Sequence, residues 1–221
     1  MRSDKKFFSK SNSLPVDEFF LKVLYDKKYG YYATKKPFGA KGDYITAPKV
    51  SRLFCEVIAI WLISTWKNFG KPKYFNIIEL GPGDGTLAKN LLRTFKKFPK
   101  FNNSKHLYLY EISDFLKKRQ KENIKNNNVK WIKNFNDIKK GPVIFFGNEF
   151  FDAIPIKQFK SFKNLFYEKY FTLDKNFKIQ EKFKKISTKE FEIVKNFKSF
   201  HNLKFIEYPK LGFRELKKII K

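Results

Sequence analysis

Cysteine is almost missing from this 221-residue chain. Cys55 stands alone, which excludes an internal disulfide and the multi-thiolate metal sites that need several cysteines. Histidine is nearly as scarce: His106 and His201 cannot build a histidine cluster, so no metal is implied. Long apolar runs are lacking too. The most apolar one, residues 53–64, contains Glu56 and is shorter than the ~20 residues of a membrane span. Its Ala59, Leu62, Ile63 and Trp66 recur at helical spacing, the pattern of a core helix. Residues 1–10 are polar and basic and lead into no apolar stretch, so no export signal is read. A soluble cytoplasmic protein without a membrane span is the resulting expectation.

Negative charge is also in short supply. Lys and Arg total 48 against 21 acids, a formal charge of +27, and such an excess ordinarily points to phosphate and hence to nucleic acid. The make-up of the excess points elsewhere. Only five of the basic residues are arginine (Arg2, Arg52, Arg93, Arg119, Arg214), the lysines are spread along the chain, and 28 phenylalanines accompany them. AT-rich coding DNA produces this mixture, and that bias outweighs a nucleic-acid role. With 42% hydrophobic residues the chain can bury the core of one ordinary domain.

The densest signal is residues 76–87, Asn-Ile-Ile-Glu-Leu-Gly-Pro-Gly-Asp-Gly-Thr-Leu: an apolar strand, an acidic glycine-rich turn and a helix start. Gly81, Gly83 and Gly85 permit positive φ and leave room for a ligand against the backbone. The spacing departs from the G-x-G-x-x-G of dinucleotide sites, whose helix N-terminus takes a pyrophosphate. Carboxylates at Glu79 and Asp84 would repel a pyrophosphate and suit a cofactor carrying an amine and a sulfonium. The reading therefore favours S-adenosylmethionine over NAD, against a ligand-free turn as the bland alternative.

Residues 106–110, His-Leu-Tyr-Leu-Tyr, form a second strand ending at Glu111, with Ser113 as the cap of a following helix. An acid there can accept hydrogen bonds from ribose hydroxyls. A third buried run, residues 141–146, gives way to Gly147-Asn148-Glu149-Phe150-Phe151-Asp152-Ala153. Ligands of open α/β sheets bind beyond the strands' carboxyl ends, so Asn148, Glu149 and Asp152 are candidates for contacting an acceptor. Paired carboxylates can hold a guanidinium by bidentate, charge-assisted hydrogen bonds. For Asp152, helix capping is an equally available role.

Four ordered blocks resemble the signatures of the MidA family: residues 42–48 (Gly-Asp-Tyr-Ile-Thr-Ala-Pro), 79–83 (Glu-Leu-Gly-Pro-Gly), 111–113 (Glu-Ile-Ser) and 148–153 (Asn-Glu-Phe-Phe-Asp-Ala). Residues 24–26 and 30–32 match as well, so the resemblance runs over about 14–170. It implies a class I S-adenosylmethionine-dependent methyltransferase acting on an arginine of a protein substrate, in the family's mitochondrial member a subunit of respiratory complex I. By position, Glu79, Gly81, Gly83, Gly85, Glu111 and Asn148 would hold the cofactor. Gly42, Asp43, Thr46 and Pro48 would form a loop over the site, and Asn148, Glu149, Asp152 and Asp43 would serve catalysis. The chain departs from the pattern at three places: Lys49 stands where an acid is usual, Cys55 where glycine is usual, and Asp84 where a base is usual.

The implied fold is α/β: a Rossmann-like class I methyltransferase sheet with helices on both faces, preceded by an N-terminal helical extension. Strands are expected at Phe75, Leu107, Val129 and Val143, and again at 166–173, with a charged helix or loop over 188–200. Residues 1–70 read as the helical segment and active-site loop, 71–160 as the cofactor-binding core, and 161–221 as a partial substrate-specific insertion and terminal helix. Family members are longer, so the expectation includes a sheet lacking its C-terminal strands. A catalytically silent binding or assembly factor keeping the fold is the alternative.

Overall fold

The computed structural model describes residues 3–8, 11–34, 46–126, 128–163, 165–197 and 203–220. Its strands, in chain order, are β1 (Ser13–Pro15), β2 (Phe75–Leu80), β3 (Lys105–Tyr110), β4 (Val129–Ile132), β5 (Val143–Phe146), β6 (Lys157–Phe162), β7 (Leu165–Leu173), β8 (Ile179–Lys185) and β9 (Phe205–Tyr208). Two compact units divide the chain, residues 27–150 and residues 1–26 together with 151–221. This division differs from the three consecutive segments read in the sequence for two reasons. Helix Arg52–Asn68 joins the core of the 27–150 unit, and β1 pairs antiparallel with β7.

The 27–150 unit is built on a parallel sheet of order β4-β3-β2-β5. All four strands fall where the apolar runs predict them. β2 is buried at every position, as a central parallel strand covered on both faces must be. The chain steps outward from β2 through β3 to β4, then returns to pair β5 with the other side of β2. That reversal makes β2 and β5 the point where the strand order switches, and their carboxyl ends are the usual ligand position in such sheets.

On one face Phe75, Ile77, Leu107, Leu109 and Val129 pack with Leu62, Ile63 and Trp66 of helix Arg52–Asn68, Leu91 and Phe95 of helix Thr86–Phe95, and Ile124 of helix Asp114–Ile124. Ser113 caps the last of these by accepting from Leu116 N–H at 3.2 Å, as its position predicts. The opposite face is closed by rings. Tyr110 stands 4.9 Å from Phe135, which stands 5.1 Å from Phe145. Among the described residues of this unit, helices Arg52–Asn68, Thr86–Phe95 and Asp114–Ile124 contribute to the first face.

The second unit carries an antiparallel sheet of order β1-β7-β6-β9, with β8 on β7. β7 meets the strand expectation at 166–173, and helices Thr188–Lys195 and Lys210–Ile220 follow. Its apolar clusters are small, Phe159, Val194, Ile206 and Tyr208 in one and Phe7, Phe8, Leu14, Phe19 and Leu173 in another. Between them lies a buried ionic centre. Lys157 Nζ pairs with Glu168, with Glu190 at 3.2 Å and with Asp17 at 3.5 Å. Burial opposes the ammonium's charge, but these carboxylates outweigh it and hold the group above its ordinary range. No helix among the described residues is long and apolar enough to cross a membrane.

Candidate functional site

The turn after β2 is held in a conformation that side-chain-bearing residues resist. Gly81, Gly83 and Gly85 have φ of +61°, +56° and +81°, the left-handed region where a Cβ is strained. The space a Cβ would fill at Gly81 belongs to the protein: it would lie 2.8 Å from Cδ2 of Phe150. A Cβ at Gly147 would likewise stand 3.1 Å from the Leu80 carbonyl oxygen. The segment after β5, which carries Asn148 and Glu149, therefore packs directly against the end of β2 and the turn after it.

Glu79, one residue before the end of β2, is buried, and its Oε2 finds no hydrogen-bond partner among the described residues. Burial, with a smaller contribution from Asp84, pushes its carboxyl up to about 8. A carboxyl so placed is costly to ionise alone and gains most from a cation brought close to it.

Glu111 follows β3 directly, one strand over, and is also buried. Burial raises its carboxyl, and hydrogen bonds from Ser113 N–H and Gln120 partly offset the rise. Ser113 N–H donates to Oε1 at 2.8 Å and Gln120 Nε2 donates to Oε2 at 3.1 Å. Gln120, fully buried on helix Asp114–Ile124, ties the site together. The same Nε2 donates to the Gly83 carbonyl at 2.8 Å, while Trp131 Nε1 donates to Gln120 Oε1 at 2.8 Å. With its oxygen occupied by the indole, the amide must present its nitrogen to Glu111 and to the glycine turn. Gln120 and Trp131 escape the sequence reading. The available signal is a polar residue at the i+4 step between Leu116 and Ile124, on the helix's buried stripe.

Asp84 departs from the role its position suggests. Rather than offering a free carboxylate to a cofactor cation, its Oδ2 pairs with Lys49 Nζ at 2.5 Å. Its Oδ1 accepts from Thr86 N–H at 3.1 Å and Thr86 Oγ1 at 2.7 Å. Burial alone would raise this carboxyl; Lys49 and Thr86 outweigh it and hold the group below its ordinary range.

Among the remaining sequence candidates, Asn148 is half-buried and Glu149 exposed. Glu149 takes φ of +58°, a conformation that costs a non-glycine residue about 1 kcal/mol or more and clusters at functional positions. Asp152 lies in a short 3-10 turn of the other unit, exposed, beside Ala153, whose carbonyl accepts from Tyr25 OH at 2.9 Å. Thr46 precedes the short helix Ala47–Val50, in which Pro48 is buried. Gly42 and Asp43 lie outside the described residues.

The donor set fits a nucleoside cofactor with a cationic centre. Glu111, its carboxylate oriented by Ser113 and Gln120, keeps lone pairs for ribose hydroxyls. The unpartnered oxygen of Glu79 and the close-packed glycine turn stand at the adjoining strand end.

A family model described as "Putative S-adenosyl-L-methionine-dependent methyltransferase" matches residues 57–210. Among curated proteins, the chain is 33% identical over 165 residues to the mitochondrial protein arginine methyltransferase NDUFAF7 homolog of Drosophila melanogaster, covering 65% of this chain and 38% of that protein. To the Caenorhabditis elegans homolog it is 33% identical over 190 residues, 75% of this chain and 44% of that protein. To the Homo sapiens protein it is 31% identical over 171 residues, with coverages of 66% and 39%. The chain thus spans roughly two fifths of the length of these relatives. An S-adenosyl-homocysteine-bound crystal structure of a Burkholderia thailandensis protein shares the fold, with a TM-score of 0.79 at 20% identity, over 98% of this chain and 57% of that one. The named relatives are mitochondrial, which overturns the cytoplasmic location expected from the sequence.

Proposed function

This chain belongs to the S-adenosyl-L-methionine-dependent methyltransferase family whose model it matches, and we propose that it binds that cofactor at the carboxyl ends of β2 and β3 and methylates an arginine of a protein substrate. The observation that carries the reading is the pair of buried carboxyl groups at neighbouring strand ends, Glu79 and Glu111, the second tied to the glycine turn by Gln120. The relatives' names supply the acceptor class, and a respiratory complex I subunit is the acceptor that the family resemblance suggests.

When bound, S-adenosylmethionine supplies an electrophilic methyl on a positively charged sulfur. Glu111 accepts from the ribose hydroxyls, its orientation set by Ser113 and Gln120. Glu79 faces the cofactor's positive charge from beneath the turn. Asn148 and Glu149 would hold the guanidinium. Their task would be to orient one nitrogen toward the reacting centre and to exclude water. Glu149 would disperse the guanidinium's charge and take the proton that the nitrogen sheds on receiving the methyl, the broken methyl–sulfur bond leaving its electron pair on the neutral S-adenosylhomocysteine. On sequence grounds Asp43 is a second candidate for that proton.

Calorimetric titration with S-adenosylhomocysteine, with Glu111→Ala as control, tests the cofactor half. Methyl transfer from a labelled donor to arginine-bearing protein tests the rest, with Glu149→Ala expected to label at least about a hundredfold more slowly. Cofactor binding without labelling of any acceptor would favour the silent assembly factor. Equal labelling by Glu149→Ala would remove that residue from the chemistry.

A further inference from the structure

Two residues far apart in the sequence meet beside the glycine turn: Lys49 and Asp84 form one ion pair at 2.5 Å with side chains 18% and 24% exposed. We propose that Lys49 is a positioning residue for the cofactor site: through Asp84 it fastens residues 46–50 to the glycine turn, so that cofactor occupancy and the placement of that segment are coupled.

The geometry carries this in three steps. Asp84 is immobilised first, because its Oδ1 accepts both the backbone N–H and the hydroxyl of Thr86 at the start of helix Thr86–Phe95. Its Oδ2 is then left in a fixed direction, and Lys49 Nζ occupies it. Partial burial shields the pair from the solvent screening that weakens surface ion pairs. Secondly, the turn carrying Asp84 is bound on its other side, since Asn123 donates to the Asp84 carbonyl at 3.1 Å and Gln120 to the Gly83 carbonyl at 2.8 Å. A pull on Asp84 is therefore felt by the same backbone that closes against the cofactor. Thirdly, Lys49 sits on a one-turn helix whose own backbone bonds run from Lys49 N–H and Val50 N–H to the Thr46 carbonyl at 2.9 and 3.2 Å. Thr46, Pro48 and Lys49 thus move together. Lys49 also neutralises the Asp84 carboxylate, so that Glu79 is the carboxyl at this strand end with most to gain from a cationic cofactor.

The inference rests on the cofactor reading above, and the experiment separates their failures. Wild type, Lys49→Glu, Asp84→Lys and the double exchange Lys49→Glu/Asp84→Lys are titrated with S-adenosylhomocysteine, with thermal melts to establish folding. Each single exchange is expected to weaken binding about tenfold or more, and the double exchange to recover to within about threefold of wild type. Lys49→Gln, the mildest variant, is examined by hydrogen exchange of the backbone at residues 46–52. Saturating S-adenosylhomocysteine is expected to slow exchange there in wild type and to have no such effect in Lys49→Gln. Single exchanges that bind as tightly as wild type would overturn the inference and leave the cofactor reading standing. So would a double exchange no better than the worse single, or ligand protection that survives in Lys49→Gln. Folded wild type that binds no S-adenosylhomocysteine would overturn both.

Discussion

Glu79→Gln should remove a pH dependence from the stability of the ligand-free protein. In the folded chain the carboxyl is raised to about 8 from an ordinary value of 4.5. The sign follows from linkage. The folded state holds this proton more tightly than the unfolded one, so stability is full below the unfolded value and is lost as pH climbs toward the folded value. Each unit of difference is worth about 1.4 kcal/mol, which makes the loss roughly 3 kcal/mol by pH 7 and ~4–5 kcal/mol above pH 8.5. The amide cannot ionise. It does strand a polar atom where Glu79 Oε2 now lacks a partner, a cost of about 1–3 kcal/mol that does not vary with pH. The diagnostic is therefore slope rather than offset. Urea unfolding at half-unit intervals from pH 5 to 9 gives the difference curve between the two proteins, in which shared contributions such as that of Glu111 cancel. The difference should shift by roughly 3–4 kcal/mol in the variant's favour across that range. Parallel curves would refute a protonated Glu79 at the base of the turn.

Gln120→Leu fills the same volume but strands Glu111 Oε2, the Gly83 carbonyl and the Trp131 indole together. At about 1–3 kcal/mol for a stranded group, a urea midpoint reporting ~3 kcal/mol of lost stability is expected, with weaker S-adenosylhomocysteine binding. Unchanged affinity would remove Gln120 from the site. Gly81→Ala must hold φ near +61° and push the Phe150 ring from a contact of 2.8 Å; a loss of roughly 1–2 kcal/mol in thermal or urea unfolding is the expected reading. In the other unit, Lys157→Met leaves Asp17, Glu168 and Glu190 without their shared cation. Breaking a buried pair on one side costs about 3–5 kcal/mol, and a melt indistinguishable from wild type would show that the centre is not dry.

The parts of this protein that can be read along the chain are those whose physics is local. β2 and β3 announce themselves as apolar runs ending in Glu79 and Glu111, and the glycines between strand and helix mark a turn that needs positive φ. Ser113 declares its helix by capping it. What escapes is nearly all long-range. Lys157 looks like one lysine among many until three elements fold carboxylates onto it. Lys49 and Asp84 each look like a lone charge along the chain, and only the fold brings the two together. β1 has three residues and no periodicity; its partner β7 lies about 160 positions away, as the Ser13–Thr172 hydroxyl contact at a separation of 159 shows. Gln120 falls between, because its stripe is visible in the helix and its three partners are not.

The division of the chain bears on the order in which it is made. The unit that carries the glycine turn is one unbroken stretch, residues 27–150, whereas the other is assembled from both ends. A ribosome working from the amino end delivers every strand of the parallel sheet before β7, the partner that β1 requires, has been synthesised. The nascent parallel sheet can therefore form while the first 26 residues wait, exposing Phe7, Phe8, Leu14 and Phe19, the apolar side chains they later bury. That pairing closes the longer loop and so carries the larger loop-closure entropy, and until it forms those four side chains stay open to non-native contacts.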